Sequence, residues 1–174
     1  MTFAAAVELH RHVPGPRPGF DAGLVGAWLP ALDGVVPRLD RGALAAVVGC
    51  GEGASTILLA KAFPRTIFVG SDPDVPSVCA ARRAAREAGV GDRVRFEAAP
   101  PTAYRGRGYD LVALFGWPDL AAARHVRETV AHDGTWLIVA PGGQPDVRPV
   151  AARAGFAHVR LVDRTPFVVV LEAR

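Results

Sequence analysis

Cysteine is scarce in this 174-residue chain: Cys50 and Cys79 are the only two, and they form no CxxC pair. That excludes a disulfide scaffold and a zinc framework, both of which need cysteines in number and at ligand spacing. Lysine is scarcer still, since the net charge of +3 is made of 19 Arg and one Lys against 17 acids. The arginines at 82–83, 93/95 and 105/107 are scattered among acids, and aromatics are only 7% of the chain. No stacking platform lies along a basic face, so nucleic acid is not an expected partner. No apolar run approaches the ~20 residues that span a bilayer, and the first residues lack a basic segment followed by a long apolar one. The expectation is a cytoplasmic protein with no membrane partner.

Half of the residues are hydrophobic, enough for one core without covalent staples. Residues 1–20 carry Pro14, Pro16, Pro18, Gly15 and Gly19, which forbid regular helix or central strand, so they read as a flexible arm before a domain at 21–174. His10 and His12 in that arm have no third ligand and read as solvent-exposed side chains, and no metal is expected. From Asp21, a reasonable N-cap, Leu24, Val25, Trp28, Leu29 and Leu32 fall at helical spacing and predict one amphipathic helix. Ala43 to Cys50 is then a continuous apolar run, as in a strand buried on both faces of a parallel sheet.

Helices and strands alternate from there: a helix over Ala54 to Phe63, a strand from Thr66, a helix over Val75 to Ala88, strands at Arg93 to Glu97 and Tyr109 to Phe115, and a helix over Leu120 to Val130. Asp133-Gly134 reads as a turn into a buried strand at Thr135 to Val139. A short helix over Val147 to Ala154 follows the loop Pro141 to Pro145. The last two strands, Ala157 to Val162 and Phe167 to Glu172, leave no room for a helix between them and must pair as a hairpin. The pattern predicts a doubly wound α/β domain with one antiparallel strand near its C-terminus.

The chemistry is concentrated where the first buried strand turns into a helix, at Val47-Val-Gly-Cys-Gly-Glu-Gly53. Glycines allow a tight turn and close approach of a ligand, and the helix N-terminus offers unpaired N–H groups. Twenty-one residues after Gly51 the second strand ends at Asp72, where an acid can accept hydrogen bonds from both hydroxyls of an adenosine ribose. Loop and acid together indicate a nucleoside. Gly49 to Ala54 also satisfies the dinucleotide fingerprint, which keeps a nicotinamide dinucleotide open. The hairpin end of the chain, the lack of room for a substrate domain and the third glycine at Gly53 favour S-adenosylmethionine.

Val48-Gly-Cys-Gly-Glu-Gly-Ala-Ser-Thr56 resembles motif I of the class I S-adenosylmethionine-dependent methyltransferases, and Phe68-Val-Gly-Ser-Asp72 resembles their second motif. Tyr109 to Val112, Asp133 to Val139 and Thr165 to Glu172 are similar to their fourth strand, fifth strand and closing hairpin. The resemblance covers nearly everything from Leu24 onward. It implies a Rossmann-like sheet of seven strands, mostly parallel with an antiparallel C-terminal strand, and S-adenosylmethionine as cofactor. It further implies a cofactor site made of Gly49, Cys50, Gly51, Glu52, Gly53, Asp72 and Pro73, with Ala99, Phe115 and Gly116 flanking the adenine and the sulfonium.

The chain departs from the family at named places. Val47 stands where many relatives have an acid, and Phe115-Gly-Trp-Pro-Asp119 enters the next helix without the usual longer loop. Trp117 could stack on a planar ligand or pack over the loop. Asp119 reads as an N-cap in preference to a rim acid and His125 as a surface residue, while His132 precedes the Asp133-Gly134 turn and His158 begins a late strand, so no catalytic residue is assigned. The loop after the fifth strand is short, so the acceptor pocket is expected to be shallow, and either a second copy or partner subunit completes it, or the arm at 1–20 folds over it, or the chain no longer catalyses transfer. Two readings follow: methyl transfer to a small-molecule acceptor, or a catalytically degenerate methyltransferase fold that binds a ligand or a partner.

Overall fold

A computed structural model describes residues 23–143 and 145–174. The arm at 1–20, Asp21, His10 and His12, and Gln144 lie outside the described residues. Seven strands form one sheet in the order β3-β2-β1-β4-β5-β7-β6. In chain order the elements are α1 (Val35–Arg41), β1 (Leu44–Val48), α2 (Ala54–Ala62), β2 (Ile67–Asp72), α3 (Val75–Glu87), β3 (Val94–Ala98), β4 (Tyr109–Phe115), α4 (Leu120–Thr129), β5 (Val130–Pro141), α5 (Arg148–Arg153), β6 (Val159–Arg164) and β7 (Val168–Ala173). The first five strands pair in parallel. β7 runs antiparallel between β5 and β6, so it alone opposes the others.

The expected single helix from Asp21 is not what forms. Leu24–Trp28 is a π-helical turn and Leu29–Ala31 a 3-10 turn. Pro30 has no N–H to give the carbonyl four residues back, which breaks the α-helical ladder. The separate helix α1 was not anticipated. Its Pro37 sits in the first turn, where the missing N–H would have had no intrahelical partner in any case.

The expected turn at Asp133-Gly134 is a bulge in β5. Tyr109 pairs with Val130 and Leu111 with Thr135, so β5 advances five residues while β4 advances two. A side chain at Gly134 would stand 2.5 Å from the Tyr109 carbonyl oxygen, so the bulge closes directly onto β4.

Both faces of the sheet are covered. Leu39, Val47, Leu59, Phe68, Val78 and Phe96 bury on the α1–α3 side, and Val48, Tyr104, Val112, Trp136, Ile138 and Leu171 on the α4–α5 side. Each large apolar side chain buried in this way contributes about 1.5–3 kcal/mol. β6 is held from the α1 side: Trp28 Nε1 donates to Asp163 Oδ2 at 2.8 Å, and Arg160 and Arg174 donate to the Ala31 and Asp33 carbonyl oxygens while pairing with the buried Glu172. No helix among the described residues is long and apolar enough to cross a membrane.

Candidate functional site

From β1 the chain proceeds outward to β2 and β3 and then returns to β4 on the other side, so a crevice opens at the C-terminal ends of β1 and β4. In open α/β sheets this switch point is where ligands bind. The loop 49–53 occupies it.

Main-chain hydrogen bonds hold the loop in place. Gly49 N and Cys50 N both donate to the Ser71 carbonyl at 2.8 and 3.0 Å, and Gly53 N donates to the Cys50 carbonyl at 2.9 Å. The glycines differ in what surrounds them. A Cβ at Gly49 would stand 2.6 Å from the Phe115 carbonyl oxygen, and one at Gly53 2.8 Å from the Phe96 ring and 2.9 Å from Ala81. These two let the loop pack against β4 and α3. At Gly51, with φ +52°, an added Cβ would meet nothing within 4 Å, so this half-buried residue borders open space on its Cα side. Gly53 begins α2 with a left-handed φ and no side-chain cap, which leaves the helix N-terminus to a ligand.

Asp72, 3% exposed, is the other half of the site. Its Oδ2 accepts from Gly51 N and its Oδ1 from Asp74 N, both at 2.9 Å. An ionised carboxylate has about four acceptor positions, so each oxygen can take one further donor. The residue that caps α3 is Asp74, whose Oδ2 accepts from Ser77 N at 3.0 Å and Ser77 Oγ at 2.6 Å. Asp72 is therefore free of capping duty and braces the loop.

The remaining sequence-selected residues surround this pair. The Cys50 side chain turns into the α1–α3 core, where burial and then the Asp72 charge push its thiol well above the usual range. Glu52 and Pro73 are exposed beside the loop. Ala99 N donates to the Asp72 carbonyl at 3.1 Å, and Gly116 N to the Val139 carbonyl at 2.9 Å. Phe115 is buried beside Gly49. Val47 is buried in the core between Gly70 and Ala113.

The histidines and Asp119 lie apart. His125 is half-buried rather than at the surface: its Nε2 lies 2.8 Å from the Tyr104 carbonyl and its ring meets Tyr104 edge-on at 4.6 Å. His132 is near the start of β5 and His158 just before β6, at the end of the sheet opposite the loop. Asp119 caps α4, accepting from Ala122 N at 2.7 Å. Among the described residues no group of three or more His, Cys, Asp or Glu could hold a metal.

Sequence reasoning missed a cavity of about 470 Å3 beyond β4, lined by Trp117, the β5–α5 loop and the β6–β7 turn. Its lining residues are far apart in sequence, and only Trp117 had stood out as a possible ligand contact.

A family model described as a methyltransferase domain matches residues 46–134, just over half of the chain. No curated protein matches it in sequence. Among solved structures, magnesium protoporphyrin IX methyltransferase from Synechocystis PCC 6803 with bound S-adenosylmethionine is 22% identical at a TM-score of 0.72, over 98% of this chain and 91% of that one. The S-adenosylmethionine-dependent methyltransferase SibL is 19% identical at 0.67, over 99% and 68%. The [4+2]-cyclase SpnF is 16% identical at 0.67, over 80% and 78%. At these identities the likeness is one of fold.

Proposed function

The chain belongs to the methyltransferase-domain family, and on that premise we propose that it transfers a methyl group from S-adenosylmethionine to a small-molecule acceptor. The observation that carries this reading is the pairing of Gly51, open on its ligand side, with a buried Asp72 that grips the Gly51 amide and keeps acceptor capacity on both oxygens. These residues fit the cofactor. The backbone of Gly49 to Gly53 would run along the methionine and ribose, Asp72 would accept from the ribose hydroxyls, and Pro73, Ala99, Phe115 and Gly116 would border the adenine and the sulfonium. When bound, S-adenosylmethionine supplies a methyl group made electrophilic by its sulfonium.

The chain's own part is alignment. Holding two reactants in line can lower a barrier by about 7–11 kcal/mol, and main-chain hydrogen bonds from Gly49, Cys50 and Gly53 hold the loop in one shape. Asp119 is committed to a helix cap and His125 to Tyr104, so positioning rather than proton abstraction is the contribution assigned to the described residues. A cytoplasmic location is part of the proposal, in keeping with two cysteines that remain free.

The second reading, a degenerate member that binds a ligand or completes a partner subunit, draws on Val47, which is apolar and buried where relatives have an acid, and on the likeness in fold to a cyclase. Calorimetric titration separates the two. Micromolar binding of S-adenosylmethionine and S-adenosylhomocysteine without binding of NAD is the expected result. Failure of both sulfur nucleosides to bind would favour the partner reading, and preferential binding of NAD would overturn the cofactor.

A further inference from the structure

The cavity beside Trp117 has a chemistry of its own. Trp117, Ala140, Val147, Val169 and Leu171 supply its apolar part, beside Thr165 and the loop residues Gly143, Pro145 and Pro166, and charge enters only through Asp146, Arg148 and Arg164. Two of these three cancel. Arg148 Nη2 lies 2.7 Å from Asp146 Oδ2, and its Nε donates to both carboxylate oxygens at 2.7 and 3.0 Å. Hydrogen bonds from the Arg148 side chain and backbone hold the Asp146 carboxyl below its usual range, with a smaller contribution from Arg164.

Arg164, exposed at the end of β6, makes no direct contact of that kind among the described residues and acts on Asp146 only through space. The adjacent Asp163 points to the other face of β6, where its Oδ2 accepts from Trp28 Nε1, and among the described residues no ion pair includes the Arg164 guanidinium. The cavity therefore carries one surplus positive charge at its β6–β7 end. At its other end Trp117 follows Phe115-Gly116, and the Phe115 carbonyl abuts Gly49 of the loop. The compartment is thus lined by Trp117, two residues along the chain from the one that abuts the glycine loop, and by Arg164.

A volume of about 470 Å3 is within the usual range for small-molecule sites, roughly 300–1,000 Å3. An indole face and aliphatic walls favour a ring system. A single guanidinium beside a fixed carboxylate suits a singly charged planar anion, which it can grip through two parallel N–H bonds, better than a dianion that Asp146 would repel. We propose that this cavity takes an apolar, ring-containing molecule bearing one carboxylate, with Arg164 gripping the carboxylate at the outer end and Trp117 covering the ring at the inner end. The proposal rests on the methyl-transfer reading in one respect: in that reading this molecule is the acceptor, its carboxylate is a handle, and the atom that receives the methyl group lies toward Trp117.

The test is a calorimetric titration with 2-naphthoate, 4-phenylbenzoate and indole-3-carboxylate, each beside its primary amide, with and without saturating S-adenosylhomocysteine. At least one acid is expected to bind ten times more tightly than its amide. Arg164→Gln should abolish that preference, Arg164→Lys should keep most of it, and Trp117→Leu should weaken acid and amide alike. The affinity for S-adenosylhomocysteine should be unchanged in all three variants, which reports an intact fold and cradle. If no acid binds more tightly than its amide, or if the preference survives in Arg164→Gln, the proposal is overturned. If the preference is present and responds to Arg164 but no sulfur nucleoside binds, the anion compartment stands and the methyl-transfer reading falls.

Discussion

The two flanks of the crevice are built from different material. On the β1–β2 side the surface is main chain: the amides of the loop 49–53, an uncapped helix N-terminus, and one buried acid that grips the loop. On the β5–β7 side it is side chain: an indole, aliphatic walls and a lone guanidinium. A main-chain surface is held by the absence of Cβ atoms and by the sheet beneath it, so few substitutions leave it intact. A side-chain surface can change with one residue while the fold stands. The first flank is suited to a constant ligand and the second to a particular one.

Substitutions sharpen this contrast in order of expected effect. Gly49→Ala places a Cβ 2.6 Å from the Phe115 carbonyl oxygen at φ +74°, and is expected to cost about 4 kcal/mol or more, read as a large loss in denaturant midpoint. Gly51→Ala meets no atom within 4 Å and has only the left-handed backbone penalty of about 1–2 kcal/mol. It should stay folded while S-adenosylhomocysteine affinity falls at least tenfold. Equal stability losses at the two positions would break the distinction between a packing glycine and a ligand-facing one.

Asp72→Ala removes the acceptor of two backbone amides, with an expected cost of about 2–4 kcal/mol and a further tenfold or greater loss of cofactor affinity by titration. Asp74→Ala removes the α3 cap and its bonds from the Ser77 amide and hydroxyl. It should cost about 1 kcal/mol, a fall of roughly 2–4 °C in melting temperature for a chain of this size, with cofactor binding unchanged. If Asp74→Ala impaired binding as much as Asp72→Ala, the separate roles of the two acids would be wrong. The smallest effect is at Thr56, whose buried Oγ1 has no partner among the described residues. Thr56→Val should stabilise by up to about 1 kcal/mol, checked by thermal unfolding.

How much could be read from the sequence follows the same division. The strand-to-helix loop and the acid beside it were legible because their parts are local: glycines between an apolar run and a helix, and an acid at the end of the next strand. The final hairpin followed from the absence of room for a helix between its strands, whereas the place of β7 between β5 and β6 came only from the structure. What sequence could not show was which glycine faces the ligand, since Gly49 and Gly53 are distinguished from Gly51 only by Phe115 and Phe96, distant residues that pack against them. Nor could it show the outer cavity, because Trp117 and Arg164 are brought to one compartment by the return of β7 along β5. The helix α1 was missed because a seven-residue segment with proline in its first turn carries almost no periodic signal.

The central claim is that the β1–β2 flank, and not the outer cavity, holds an adenosine ligand. Amide-resolved NMR of the 15N-labelled protein tests it directly, with S-adenosylhomocysteine added stepwise. The account predicts the largest shifts at the amides of Gly51, Glu52, Gly53, Ala54 and Asp74, with little change in Arg164 to Val169. Shifts concentrated at the β6–β7 turn, or none in the glycine loop at saturation, would contradict it.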